Sequence, residues 1–173
     1  MKVDKWLWVL FLCVLSGGVN ATPIGWVGVP VISSSDNAPL ICLPRNVEAF
    51  PVYRAMLEES FTKESIFWAL YLEPNAEPVI LKSGECLKFD EELKGYRREG
   101  DLTLSRLKPN FTYNFSIDRV NDVAHHNHFY SATFCVLEDD KGERQYPQYV
   151  RSSAKGEIIP QCDARRNGNV LDQ

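Results

Sequence analysis

No stretch of this sequence stays apolar for the ~20 residues that a bilayer-spanning helix needs. The longest apolar run, Trp6 to Leu15, falls well short of that. Basic residues are in deficit, 19 against 23 acids, and they form no stripe. Phosphate backbones and anionic membrane surfaces both require clustered Lys and Arg, so neither nucleic acid nor a polybasic membrane anchor is expected. There is no glycine-rich phosphate loop, no Gly-x-Ser-x-Gly elbow and no His-Glu-x-x-His helix. The acidic pairs Glu58-Glu59, Asp90 to Glu92 and Asp139-Asp140 lie among polar residues at expected strand ends, where carboxylates are simply solvated. An enzyme is therefore not expected, and neither is a cofactor. Repeats and low-complexity segments are absent as well.

What is present begins with an export signal. Lys2 and Lys5 precede the apolar run, small residues follow, and Val19-Asn20-Ala21 supplies a cleavage site after Ala21. Residues 1–21 are read as a signal peptide, residues 22–163 as a single domain, and residues 164–173 as a loosely ordered tail. Losing Lys2, Lys5 and Asp4 leaves 17 bases against 22 acids, a formal charge of −5. Cys13 leaves with the signal, and Cys42, Cys86, Cys135 and Cys162 remain. An even number of widely spaced cysteines without Cys-x-x-Cys points to two disulfides in an oxidising compartment. Three pairings are open; Cys42–Cys86 with Cys135–Cys162 is favoured because each bridge then closes a loop within one half of the chain.

Short apolar segments, rich in aromatic and β-branched residues and broken by Pro, Gly, Asn and Asp, predict a mainly β protein. Strands are expected over 25–32, 39–43, 65–72, 79–82, 102–107, 111–120, 129–137 and 145–151. Val52 to Glu59 fits a helical period better. In Phe111 to Asp118, the residues Phe111, Tyr113, Phe115 and Ile117 share one face. Thr112, Asn114, Ser116 and Asp118 share the other, as in a half-buried antiparallel strand. Tyr130 to Val136 repeats the pattern and turns Cys135 outward, where a crossing segment carrying Cys162 can reach it. The expected architecture is a disulfide-braced antiparallel β-sandwich.

Leu107-Lys108-Pro109-Asn110-Phe111-Thr112-Tyr113 resembles the tyrosine corner of fibronectin type III and other immunoglobulin-like domains. Leu107, Pro109 and Tyr113 would carry it, with Asn110 in place of the usual Gly, since Asn tolerates the left-handed region. Trp68 sits where such folds bury a tryptophan of strand C. Asn110-Phe111-Thr112 and Asn114-Phe115-Ser116 match the N-glycosylation pattern and matter only in a eukaryotic host.

All three histidines, His125, His126 and His128, fall in one short polar segment after Asp122. Adjacent side chains of an extended chain point opposite ways, so a hairpin loop is expected there and no metal site. That loop, and a second at Asp90 to Gly100 carrying Tyr96, Arg97 and Arg98, are the candidate partner-binding surfaces.

Pro39 to Pro44, Lys82 to Leu87, Leu107 to Tyr113 and Phe129 to Val136 recur in an order and spacing that resemble enterobacterial type VI secretion immunity (lipo)proteins of the periplasm. The resemblance spans Pro39 to Val136. It implies a protein that neutralises a toxic effector by direct contact, and it supports the Cys42–Cys86 bridge. Members carry a lipidated cysteine after a Leu-small-Gly sequence; here Gly18 follows Leu15-Ser16-Gly17, so a free periplasmic protein is expected. The alternative is an assembly subunit of the envelope or of fimbriae.

Overall fold

A computed structural model describes residues 26–60, 66–119, 127–152, 156–158 and Cys162. The expected signal peptide and the expected tail lie outside these residues. The fold is mainly β. Its strands are β1 (Trp26–Gly28), β2 (Val31–Ser35), β3 (Ala38–Cys42), β4 (Phe50–Glu59), β5 (Phe67–Leu72), β6 (Ile80–Leu81) and β7 (Cys86–Lys88). They continue with β8 (Tyr96–Gly100), β9 (Thr112–Arg119), β10 (Asn127–Cys135), β11 (Leu137–Glu138), β12 (Arg144–Gln145), β13 (Val150–Ser152) and β14 (Gly156–Ile158).

The larger sheet runs β1-β10-β9-β4-β5-β8, with β6 also paired to β4. All its neighbours are antiparallel except β1, which runs parallel to β10. A three-stranded sheet, β2-β3-β7, lies apart from it, and β11-β12 and β13-β14 form two small hairpins. Both main sheets contribute to one apolar core: Ile41, Leu43 and Leu87 from the small sheet side, Leu57, Trp68, Phe115 and Phe134 from the large one. Trp68 packs edge-on against Phe89 at 5.2 Å, joining β5 to the turn after β7.

Several sequence readings are corrected. Val52 to Glu59 is the middle and end of a ten-residue strand, not a helix. The register slips between Val52 and Arg54 where β4 meets β9. That bulge adds one residue to the alternation, so Val52, Ala55 and Leu57 face the core, while Tyr53 and Met56, which with Val52 and Leu57 gave the helical spacing, lie off it. Leu102 to Leu107 is not a strand: it holds one turn of 3-10 helix, Leu104–Arg106. Leu102 and Leu107 are buried on either side of that turn. The expected 25–32 strand is broken at Val29 and Pro30, before β2 begins. Gln148 holds the break: its side-chain amide donates to the Pro30 carbonyl at 2.8 Å and accepts the Ile32 N–H at 2.9 Å.

The apolar face of β9 is as expected, with Tyr113, Phe115 and Ile117 fully buried. Its polar face is drier than expected. Thr112 and Ser116 are also buried, Thr112 through a hydroxyl contact with Tyr149 at 3.0 Å.

At the corner leading into β9, Asn110 adopts φ 63°. The Tyr113 hydroxyl accepts the Lys108 N–H at 2.9 Å, and Leu107 is buried beneath. Burial of Tyr113 pushes its phenol up to about 12. Both disulfides, Cys42–Cys86 and Cys135–Cys162, pair as favoured. The first links directly opposed residues of β3 and β7; the second ties the C-terminal segment to the end of β10.

Candidate functional site

Residues paired across a sheet share a face. In the large sheet, the rows Leu57–Trp68 and Ala55–Leu70 point to the core, so the rows between them form the outer face. One such row crosses all six strands of the main path: Arg97 on β8, Tyr71 on β5, Arg54 on β4, Asp118 on β9, Phe129 on β10 and Val27 on β1. At ~4.8 Å between strands it spans roughly 24 Å.

The polar half of this row is held by contacts among its own side chains and their neighbours. Arg54 donates through Nε to Asp118 Oδ2 at 2.5 Å, and a second guanidinium nitrogen meets the same oxygen. Partial burial opposes the Arg54 charge, but Asp118 and a bond to Tyr71 outweigh it and push its pKa up. The Arg97 guanidinium lies 5.8 Å from the centre of the Tyr71 ring and pairs with Glu99 at 2.5 Å. The apolar half is Phe129 and Val27, with Val27 about half exposed.

The next row holds Ala69, Met56, Ser116 and Ser131; beyond it lie Phe67, Glu58, Asn114 and Thr133. Asn114 Oδ1 accepts from Ser131 Oγ at 2.9 Å, linking β9 to β10 across this face. Ala69 and Ser116 in the middle of this face are buried, and Arg54, Met56, Phe67, Tyr71 and Phe129 around them are half-buried. Aromatic residues, Met and Arg are the types enriched at protein contact surfaces.

The residues anticipated as a binding loop are redistributed. Tyr96, Arg97 and Arg98 form an edge strand, not a loop. Tyr96 is half-buried: its hydroxyl accepts the Val79 N–H at 3.0 Å and donates to the Val52 carbonyl at 2.7 Å, pinning the β4 bulge. Burial raises its pKa. Arg98 points to the core side of β8, pairs with Asp90 at 2.6 Å and donates to the Leu102 carbonyl at 3.2 Å. An inward-turned charge of this kind blunts an edge strand. Arg97 alone of the three reaches the outer face, its side chain 63% exposed. His125 and His126 lie outside the described residues, and His128 falls within the backbone of β10.

Arg54, Tyr71, Met56, Phe67 and Phe129 were not singled out from sequence. No local signal marks them, because which strands lie side by side is a property of the whole fold. Asn110 is exposed at its turn, and Asn114 is half-buried within the outer face.

A separate open cleft of about 570 Å³ is lined by Asn37, Asp90, Thr103, Ser105, Glu138 and Arg144, among others. Its charges are already engaged: Arg144 pairs with Glu138 at 2.8 Å and donates to the Leu104 carbonyl at 2.9 Å, while Asp90 holds Arg98. Of three Ser-x-x-Lys spacings, Ser60 to Lys63 and Ser152 to Lys155 end on lysines outside the described residues, while in the third Ser105 meets the Thr103 hydroxyl at 3.0 Å and Lys108 pairs with Glu59 at 3.2 Å. Among the described residues, no group of three His, Cys, Asp or Glu side chains can hold a metal ion. No helix among them is long and apolar enough to cross a membrane.

Compared with family models, curated proteins and solved structures, the chain matches none of them.

Proposed function

We propose that this is an exported, non-enzymatic binding protein of the periplasm. In this reading it is an immunity protein that neutralises a toxic effector by direct contact through the outer face of its large sheet. The observation carrying this reading is the row from Arg97 to Val27, six strands wide, in which Asp118 holds Arg54 and Glu99 of the neighbouring row holds Arg97. Binding then costs little ordering of side chains. Aromatic, Met and Arg residues on such a plate suit a protein partner better than a small molecule, which needs an enclosing pocket.

The scaffold reading is an immunoglobulin-like sandwich. The order β10-β9-β4-β5 corresponds to strands G, F, C and C′ of such domains, and β2-β3-β7 to A, B and E. The Tyr113 corner supports the same assignment. Three features depart from it. β8 comes between β7 and β9 in the chain and joins the C′ edge, Trp68 lies on β5 instead of β4, and Cys42–Cys86 stays within one sheet.

The test is protection. Cells that are sensitive to a toxin encoded beside this gene are given the protein with its signal peptide and challenged with the secreting strain. Rescue, with a complex isolated from the periplasm, is expected. No rescue and no complex would refute the immunity reading.

A further inference from the structure

The two disulfides occupy opposite environments. Cys135 is 0% exposed and Cys162 4%, so that bridge is sealed from both sides. In the other, Cys42 is 7% exposed, but Cys86 lies in the open on β7, the edge strand of the small sheet. A thiolate must approach a disulfide along the sulfur–sulfur axis, and exchange rates depend on which sulfur is reachable. Here the reachable sulfur is Cys86, while Cys42 sits on the central strand between β2 and β7.

We infer that Cys86 is a thiol-exchange site, open to a dithiol reductant of the oxidising compartment, whereas Cys135–Cys162 is closed to it. The reductant's thiolate attacks Cys86 Sγ and forms a mixed disulfide, and the sulfur–sulfur bond to Cys42 breaks with Cys42 leaving as thiolate. The reductant's second thiolate then attacks its own bound sulfur and releases the Cys86 thiolate. Two electrons have passed from the dithiol, now a disulfide, to the protein. With a monothiol the reaction halts at the mixed disulfide on Cys86.

The neighbouring backbone shows why exchange here leaves the fold standing. Turn 82–85 is tied to the segment after β3 without help from sulfur. Leu43 donates its N–H to the Glu85 carbonyl at 2.9 Å, Asn46 donates its N–H to Ser83 Oγ at 2.8 Å, and Ser83 Oγ donates to the Pro44 carbonyl. Within the turn, the Lys82 N–H is taken by Glu85 Oε2 at 2.7 Å. Phe89 donates its N–H to the Pro39 carbonyl at 3.0 Å on the far side of β7. The bridge therefore reports on and responds to thiols while hydrogen bonds hold β7 in register. This inference is independent of the immunity reading.

The experiment treats the oxidised, folded protein with limiting dithiothreitol near neutral pH, quenches with an alkylating agent, and maps the label by peptide mass. Labels on Cys42 and Cys86 are expected to build up roughly tenfold or more faster than labels on Cys135 and Cys162, with far-UV circular dichroism unchanged. In a second arm with glutathione alone, the adduct is expected on Cys86 and not on Cys42. The double variant Cys42→Ser/Cys86→Ser should lose the fast phase of dithiol consumption. Equal rates at the two bridges, faster labelling of Cys135–Cys162, an adduct confined to Cys42, or a fast phase that survives in the double variant would each overturn the inference. Should the double variant not fold, the wild-type peptide map still decides.

Discussion

Replacing Tyr113 by Phe removes one oxygen and little else, so it isolates what the corner hydroxyl contributes. In the folded protein that oxygen is the partner of the Lys108 N–H, at 2.9 Å, just where the chain turns from the 3-10 segment into β9. The ring itself stays buried and stacked near Phe134, centroids 6.1 Å apart, so the apolar packing is retained in the variant. What is lost is the hydrogen bond, together with the cost of leaving the Lys108 N–H unpaired in a half-buried site, about 1–2 kcal/mol in all. For a domain of this size that corresponds to a fall in Tm of roughly 2–8 °C. The matched control is Tyr53→Phe, whose ring is 47% exposed at the β4 bulge; it should stay within about 0.5 kcal/mol of wild type. Guanidinium unfolding of both variants, disulfides intact, gives the comparison directly. If Tyr113→Phe is no less stable than Tyr53→Phe, the hydroxyl does not pin the corner and the reasoning fails.

Three further outcomes are expected. Burial pushes the phenols of Tyr113 and Tyr146 up to about 12, while in the unfolded chain they ionise near 10. The unfolded state therefore sheds protons first, and stability, level below pH 10, should fall between pH 10 and 12 by about 2–3 kcal/mol per group. A spectrophotometric titration in which every tyrosine ionises near pH 10 with the fold intact would contradict this. Gly28→Ala places a Cβ 2.3 Å from the Tyr130 ring. That overlap should cost about 1–3 kcal/mol and loosen β1 from β10, read as faster amide exchange in β1; unchanged exchange would mean the close approach is not limiting. Arg97 and Arg98 should separate by role. Arg98→Ala, which breaks the Asp90 pair and the Leu102 bond, should lower stability by about 1 kcal/mol, while Arg97→Ala should leave it within about 0.5 kcal/mol. Equal losses in denaturant unfolding would mean that β8 is wrongly faced.

How much of this was legible in the sequence depends on how local each signal was. The Tyr113 corner and the alternation of β9 are written within seven or eight residues, and there the sequence and the fold agree. The cysteine pairing was legible because each bridge joins residues of one half of the chain. β4 was misread because the bulge near Tyr53 and Arg54 shifts the inward set by one, and periodicity has no way to register an inserted residue. β8 was taken as a loop because Tyr96-Arg97-Arg98-Glu99 carries the charges that an edge strand uses to avoid aggregation. β7 is three residues long, shorter than any pattern can identify. The outer-face row combines residues from six strands far apart in sequence, and only cross-strand register assembles it.

The most direct measurement sets surface against scaffold. Phe129→Asp and Arg97→Glu, placed together, change one end of the outer-face row and the residue next to its other end, and leave the core untouched. Partner affinity, from titration calorimetry with the toxin proposed as partner, should fall by at least about a hundredfold (roughly 3 kcal/mol), with thermal unfolding close to wild type. A doubly substituted protein that binds and protects as well as wild type would place the contact elsewhere and contradict the assignment of this face.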